Sequence, residues 1–269
     1  AALQAGLSCL TFHEAMGYRE CQPPPAQSQW VQGRWFANSS AAHSAYSVPG
    51  PRIKELKALA GELPFAIHLA ESRAEMEFLA GDGPEGERLA DFLMLRGQVE
   101  RERLGLLHPH PLRHLDILGV LDKSTLLVHG VQLAGEDADL IAQRGASLCV
   151  CPRSNLGLTG ALAPLARLAA AGVNLCLGTD SLMSTLSLDL WREMATLAGA
   201  APELSAEQIL AMATANGAAA LGMAEHYGSL APGQLGPVLF APLPPGLSRE
   251  QTLRALVNGD WAGGLRVLD

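Results

Sequence analysis

Three stretches decide how this chain is read: IHLAES at 67–72, LLVHGVQL at 126–133 and LCLGTDS at 175–181. Each is a short apolar run that stops at residues able to bind a metal or move a proton, namely His68 and Glu71, His129, and Asp180. Apolar runs of this length fit buried strands. A polar residue closing such a strand stands at its C-terminal end, where parallel α/β folds build their sites. Each residue also has an ordinary use. His68 could cap a helix beside a solvated Glu71, His129 could be a core histidine satisfied by backbone, and Asp180 could cap the next helix. Three strand ends carrying His, His and Asp, in a chain with only 8 histidines, favour one shared site over three coincidences.

Outward from these stretches the same rhythm continues. Apolar runs near 6–12 (GLSCLTF) and 34–40 (RWFANSS), and at 64–70, 124–130, 146–152 and 173–180, alternate with amphipathic segments such as IKELKALAGE, DADLIAQRG and LAPLARLAAAG. Strand–helix alternation predicts a parallel sheet, here of six βα units. Gly145 and Gly172, just before the strands at 146 and 173, read as helix C-caps. Residues 18–33 read as a loop, and 80–115 as an irregular zone around a helix near 86–103. Residues 204–222 read as helical, and the tail from about 227 as short β segments broken by Gly and Pro.

The chemistry these residues offer is metal-assisted hydrolysis. It needs a neutral nitrogen on a metal and a nearby carboxylate to take and return a proton. His68 and Glu71, three apart across a strand end, supply both. His129 could orient a water or polarise a substrate. Arg153 and Asn155 in CPRSNLGL, His43 and Tyr46 in HSAYS, and Ser181 beside Asp180 are candidates for substrate contact, with turn or strand-end roles as the alternative. His13 and Glu14 are further wall candidates. HPHP at 108–111 has the His-x-His spacing by which a strand presents two ligands, but its prolines make it a loop.

Composition narrows the field. With 48% hydrophobic and 17% charged residues, the 269-residue chain can bury a sizeable core. A formal charge of −8 argues against a nucleic-acid surface, and no run reaches the length of a membrane span. The odd set Cys9, Cys21, Cys149, Cys151 and Cys176 fits a reduced, cytoplasmic protein, with CVC at 149–151 a core feature rather than a zinc ribbon. Trp30 and Trp35, beside a Pro-rich loop, are read as exposed and suit a homodimer interface or a lid.

The motifs resemble the amidohydrolase superfamily, in its metal-dependent deaminase and chlorohydrolase branch. HLAES is similar to that branch's fifth-strand motif, LVHGVQL to its sixth, CPRSNLGL to its seventh, GTDSLMS to its eighth and AHSAYSV to its fourth. MATANGAAALG and GSLAPGQLG resemble the closing helix and the return to a small β-sandwich. Region 43–222 is most similar to aminofutalosine-type and adenosine-like deaminases. The resemblance implies a (β/α)8 TIM-like barrel over 1–226 and a C-terminal β-sandwich portion over 227–269. It implies one divalent metal, zinc or iron, held by His68 and Asp180, with Glu71 and His129 as the catalytic pair. The implied reaction is hydrolytic deamination of a cyclic amidine in a purine-like or nucleoside-like substrate. Chlorotriazine, guanine or hydantoin-like rings are the alternatives on the same barrel, and an inert structural or binding barrel is the alternative of another class. The branch opens its site with His-x-His on a first strand, and no such strand precedes His68. The expectation is therefore a barrel lacking its first two βα units, represented by strands three to eight.

Overall fold

The computed structural model describes residues 7–17, 23–97, 100–235, 238–261 and 264–268. Cys21 lies outside them, as do residues 236 and 237 of the Gly- and Pro-broken tail. The main sheet is built from β1 (Cys9–Ala15), β2 (Gln27–Val31), β3 (Arg34–Ser44), β4 (Phe65–Leu69), β5 (Thr125–His129), β6 (Ser147–Val150) and β7 (Asn174–Leu177). Its order is β1-β3-β4-β5-β6-β7, with every step parallel. These are the six runs expected as strands. Among the described residues no pairing joins β7 back to β1.

The strands are linked through α1 (Gly50–Ala60), α2 (Arg73–Ala80), α3 (Pro84–Leu95), α4 (Pro111–Leu118), α5 (Asp137–Arg144), α6 (Pro152–Thr159) and α7 (Leu165–Ala170). After β7 come α8 (Leu190–Ala200), α9 (Ala206–Met212) and α10 (Ala215–Ala220). The tail adds β8 (Val238–Phe240), α11 (Arg249–Asn258) and β9 (Arg266–Leu268). β8 and β9 form a separate antiparallel pair, whereas α11 packs on α8 and α9 and contributes Val257 to the main core.

Strand periodicity decides which side chains face the site. Along β4, Phe65, Ile67 and Leu69 enter the main core with Ile53 and Leu56 of α1, Leu112 and Leu115 of α4, and Leu127 of β5. Alternation puts Ala66 and His68 on the opposite face. There Ala66 meets a second cluster that includes Phe12, Leu126, Cys149 and Cys176. The cysteines of β6 and β7 are thus packed as small apolar groups, and Cys9, Cys149, Cys151 and Cys176 are free. Gly145 ends α5 at φ +72°, so β6 begins within two residues of it.

Two expectations are corrected. The zone 18–33 is not all loop: β2 pairs antiparallel with β3, and Trp30 sits opposite Trp35. Gln32 (φ +50°) and Gly33 (φ +72°) supply the left-handed two-residue turn that such a hairpin needs, without the Asn-Gly that would have announced it. Trp35 is also not exposed. It is 8% accessible, packed with Ala37 and Met223, while Trp30 on the hairpin is 46% accessible. HPHP lies outside any strand. Pro111 opens α4, and His110 Nε2 stands 3.4 Å from Asp137 Oδ2. Among the described residues no helix is long and apolar enough to cross a membrane.

Two stability predictions follow from this packing. Leu127→Ala removes a fully buried side chain between sheet and helices, and should cost about 2–5 kcal/mol, read as a lower urea midpoint at unchanged slope. His114 is 0% exposed, and its Nδ1 accepts the Leu107 N–H. Burial, with the nearby His108, holds its pKa below the usual range. The unfolded chain therefore takes up this proton first as the pH falls through about 6.5. The stability that neutral His114 contributes is present above that pH and is lost on acidification toward the lower folded value. Thermal midpoints of wild type and His114→Gln measured from pH 8 to 5 should converge at the acid end; parallel curves would contradict the assignment.

Candidate active site

Where β4, β5 and β7 end, the backbone turns through left-handed conformations that side chains with a Cβ resist. Ala70 has φ +49°, His129 +76° and Asp180 +57°. Gln32 is the other described non-glycine residue with positive φ, and it belongs to the hairpin turn. Each such residue costs roughly 1–2 kcal/mol, so the surrounding bonds must hold it. Gly130 N–H donates to Leu69 O at 2.9 Å and Gln132 N–H to Ala70 O at 2.7 Å, tying the end of β4 to that of β5. Gly178 N–H donates to Val150 O at 3.0 Å, tying β7 to β6. A bulge between Ala42 and Ser44 on β3 re-aims His43.

These turns converge. Single ligand atoms of Glu71, His129 and Asp180 all lie within 4.8 Å of one another. Glu71 Oε1 is 3.7 Å from His129 Nε2. The His68 ring centre is 5.1 Å from that of His129 and 5.2 Å from that of His43. His68 Nδ1 is 3.8 Å from Glu14 Oε1. The Tyr46 ring stands edge-on to His43 at 5.6 Å and packs on Phe78.

The supporting bonds give each group a defined state. Asn155, fully buried in α6, accepts the Cys151 N–H at its Oδ1, so its amide nitrogen faces His129 Nδ1 at 2.9 Å and donates to it. Neutral His129 then carries its proton on Nε2, toward Glu71. Asp180 Oδ2 accepts from Ser154 Oγ at 2.6 Å and Ser184 Oγ at 2.7 Å. Asp180 caps no helix; Asp189 caps α8.

Arg153 is placed differently. Its backbone N–H donates to buried Glu193 at 2.9 Å, and its guanidinium bonds Ser187 O and Oγ and lies 3.6 Å from Glu193. Ser181 is exposed, its Oγ accepting the Met183 N–H.

Electrostatics follow the burial. Desolvation, with Asp180 nearby, raises the Glu71 carboxyl. Burial and then His68 lower His129 to about 4, against the pull of Asp180, and the same two causes lower His43 to about 4. Burial raises Asp180, but the Ser154 and Ser184 hydroxyls and the Ser181 N–H outweigh it and hold the carboxyl below its ordinary range. One cluster thus holds an ionised carboxylate, a carboxyl drawn toward neutrality and neutral imidazoles, a division suited to proton transfer.

Sequence reasoning passed over Ser154, Ser184 and Glu75. The serines lie inside CPRSNLGL and GTDSLMS, beside residues already singled out. Glu75 stands three residues after Ser72, the spacing of a capping box. Ser72 Oγ does accept the Glu75 N–H, but the carboxylate reaches beyond the cap to Ala70 and Glu71. Asn155→Ala would leave His129 Nδ1 buried without its donor. A loss of about 1–3 kcal/mol in denaturant stability is expected, with Asn155→Asp no better because it offers no donor.

Residues 28–240 match the Amidohydrolase family. The chain is 32% identical over 204 residues to a 5-methylthioadenosine/S-adenosylhomocysteine deaminase of Teredinibacter turnerae, a match covering 73% of this chain and 41% of that protein. It therefore spans less than half the length of that curated relative. An adenosine deaminase from Xanthomonas campestris, solved with bound zinc, superposes with a TM-score of 0.67 at 29% identity over 87% of this chain and 50% of its own. Aminofutalosine deaminase of Helicobacter pylori shares the fold, with a TM-score of 0.79 at 21% identity over 99% of this chain and 68% of its own. With a match over most of its length, and with acid–base groups converging at parallel strand ends, this chain belongs to the Amidohydrolase family.

Proposed function

We propose that the polypeptide carrying this chain is a metal-dependent hydrolase that deaminates the purine ring of a nucleoside-like substrate. The observation that carries this reading is the convergence of Glu71, His129 and Asp180 from three separate strand ends. Nitrogen and carboxylate oxygen donors in this mixture suit zinc or iron. We assign His68 and Asp180 to the metal. The fixed tautomer of His129, with its proton on Nε2, favours a hydrogen-bonding role over ligation. A divalent metal bound here would supply the acidity that makes water a nucleophile near neutral pH.

The residues of this chain do the rest. Glu71, drawn toward neutrality by burial, delivers a proton to the ring nitrogen next to the reacting carbon, takes up the proton that the attacking water gives up, and hands that proton to the departing amine. His129 holds the attacking oxygen or the leaving group through its Nε2–H. His43 and Tyr46 line the wall, with Asn155 acting through His129. Ser181 is at the rim, and Arg153 shapes the rim through Glu193 and Ser187.

The adenosine-type substrate is supported by what the relatives are named for: a 5-methylthioadenosine/S-adenosylhomocysteine deaminase and an adenosine deaminase. We further infer that β1 and β3–β7 correspond to strands three to eight of a (β/α)8 barrel. On that inference the remaining metal ligands lie on strands outside this chain, and the β8–β9 pair belongs to a small β-sandwich. The sheet supports this, since β1 and β7 are each paired on one side only among the described residues.

The test is ammonia release from adenosine and 5′-methylthioadenosine by the full polypeptide loaded with zinc. Turnover is expected with one of them, and Glu71→Gln should lower kcat by about 10²–10⁴-fold while zinc stays bound. Zinc-loaded protein that releases no ammonia from any adenosine-type nucleoside would overturn the deaminase reading.

A further inference from the structure

Glu75 bonds the backbone of Glu71 without being one of the reacting groups. It lies on α2, is 1% exposed, and spends both carboxylate oxygens on the backbone just ahead of its own helix. Oε1 accepts the Ala70 N–H at 3.0 Å and Oε2 the Glu71 N–H at 2.8 Å. These two amides point the same way because Ala70 is left-handed, at φ +49°. Successive N–H groups in such a turn form a concavity that receives a carboxyl group, and here that group is the protein's own side chain, whose pKa burial pushes up to about 7 against the pull of the two N–H groups. A carboxylate is the one side chain that offers two equivalent acceptor atoms to two adjacent donors; Gln has one acceptor and Ser a single oxygen.

We propose that Glu75 is a positioning residue for the Glu71 carboxylate, its buried side chain clamping the Ala70–Glu71 peptide so that Glu71 reaches His129 and Asp180. The clamp works together with the Gln132 N–H to Ala70 O bond, so the peptide is held from the α2 side by Glu75 and from the β5 side by Gln132. Without the carboxylate, two adjacent donors, the buried Ala70 N–H and the part-buried Glu71 N–H, lose their acceptor and the left-handed turn loses its partner. The side chain most displaced would be Glu71, 3.7 Å from His129 Nε2. This inference rests on the reading of Glu71 as the proton carrier.

Glu75→Gln keeps the shape but turns an NH2 toward one of the two N–H groups. In the zinc-loaded full polypeptide it should lower kcat about 10–100-fold, with KM and bound zinc nearly unchanged. Wild-type Ala70 and Glu71 amides should exchange with solvent as slowly as those inside β4, and one of them should exchange faster in the variant. Wild-type kcat in Glu75→Gln overturns the proposal, as does a fall in kcat matched by an equal loss of zinc or rise in KM. If the variant does not fold, the wild-type exchange decides: slow exchange at both amides supports the clamp, and rapid exchange at both rejects it. Glu71→Gln assayed in parallel separates the two claims. Retained activity there sinks the reading of Glu71, whereas an inactive Glu71→Gln beside a fully active Glu75→Gln sinks the clamp alone.

Discussion

The left-handed backbone at the strand ends is the constraint on which the site depends. Ala70, His129 and Asp180 each turn against the preference of an L residue. A strand that simply continued would carry its next side chain to the other face of the sheet. The turn instead brings Glu71, His129 and Asp180 to one point. The cost is met by hydrogen bonds between neighbouring strand ends and by buried acceptors such as Glu75. Strain of this kind persists only where its surroundings over-determine it, and it gathers where function requires it.

The protonation states follow from that geometry. Burying several histidines and carboxylates together makes charge expensive, so the imidazoles of His43 and His129 are held neutral and Glu71 is drawn toward its acid form. Asp180 escapes because two hydroxyls and an amide solvate it. The environment thus separates two carboxylates of similar intrinsic strength, one suited to carrying a proton and one to carrying charge. Asn155 performs the corresponding task for His129 by fixing which ring nitrogen holds the proton.

Much of this was legible in the chain. The parallel strands were readable because each is a buried apolar run, and runs such as LLV and LCL need no partner to declare themselves. The strand-end residues were readable because an ionisable group closing such a run is unusual. The β2–β3 hairpin was not, since its turn uses Gln-Gly and its strand QSQWV is mostly exposed and polar. Trp35 was misjudged because proximity to a Pro-rich loop says nothing about the Ala37–Met223 surface that covers it. At Arg153 the charge is visible in the sequence and its partner is not. Glu193, forty residues away on α8, takes up its backbone N–H and faces its guanidinium.

By itself the sequence determined the strand–helix rhythm, the parallel sheet and the candidates at the strand ends, because periodicity and residue chemistry are local properties. Only the tertiary structure decided which of those candidates meet, which tautomer His129 holds, and which serines solvate Asp180. It also revealed that Glu75 serves the turn before its helix rather than the cap alone. Those outcomes rest on contacts between residues far apart in the chain, as between Asn155 and His129 or Ser154 and Asp180, and on left-handed φ angles at residues other than glycine, which bring near neighbours such as Glu75 and Glu71 together. No local propensity encodes either of them, since both exist only when neighbouring strands are in register and their ends are tied together.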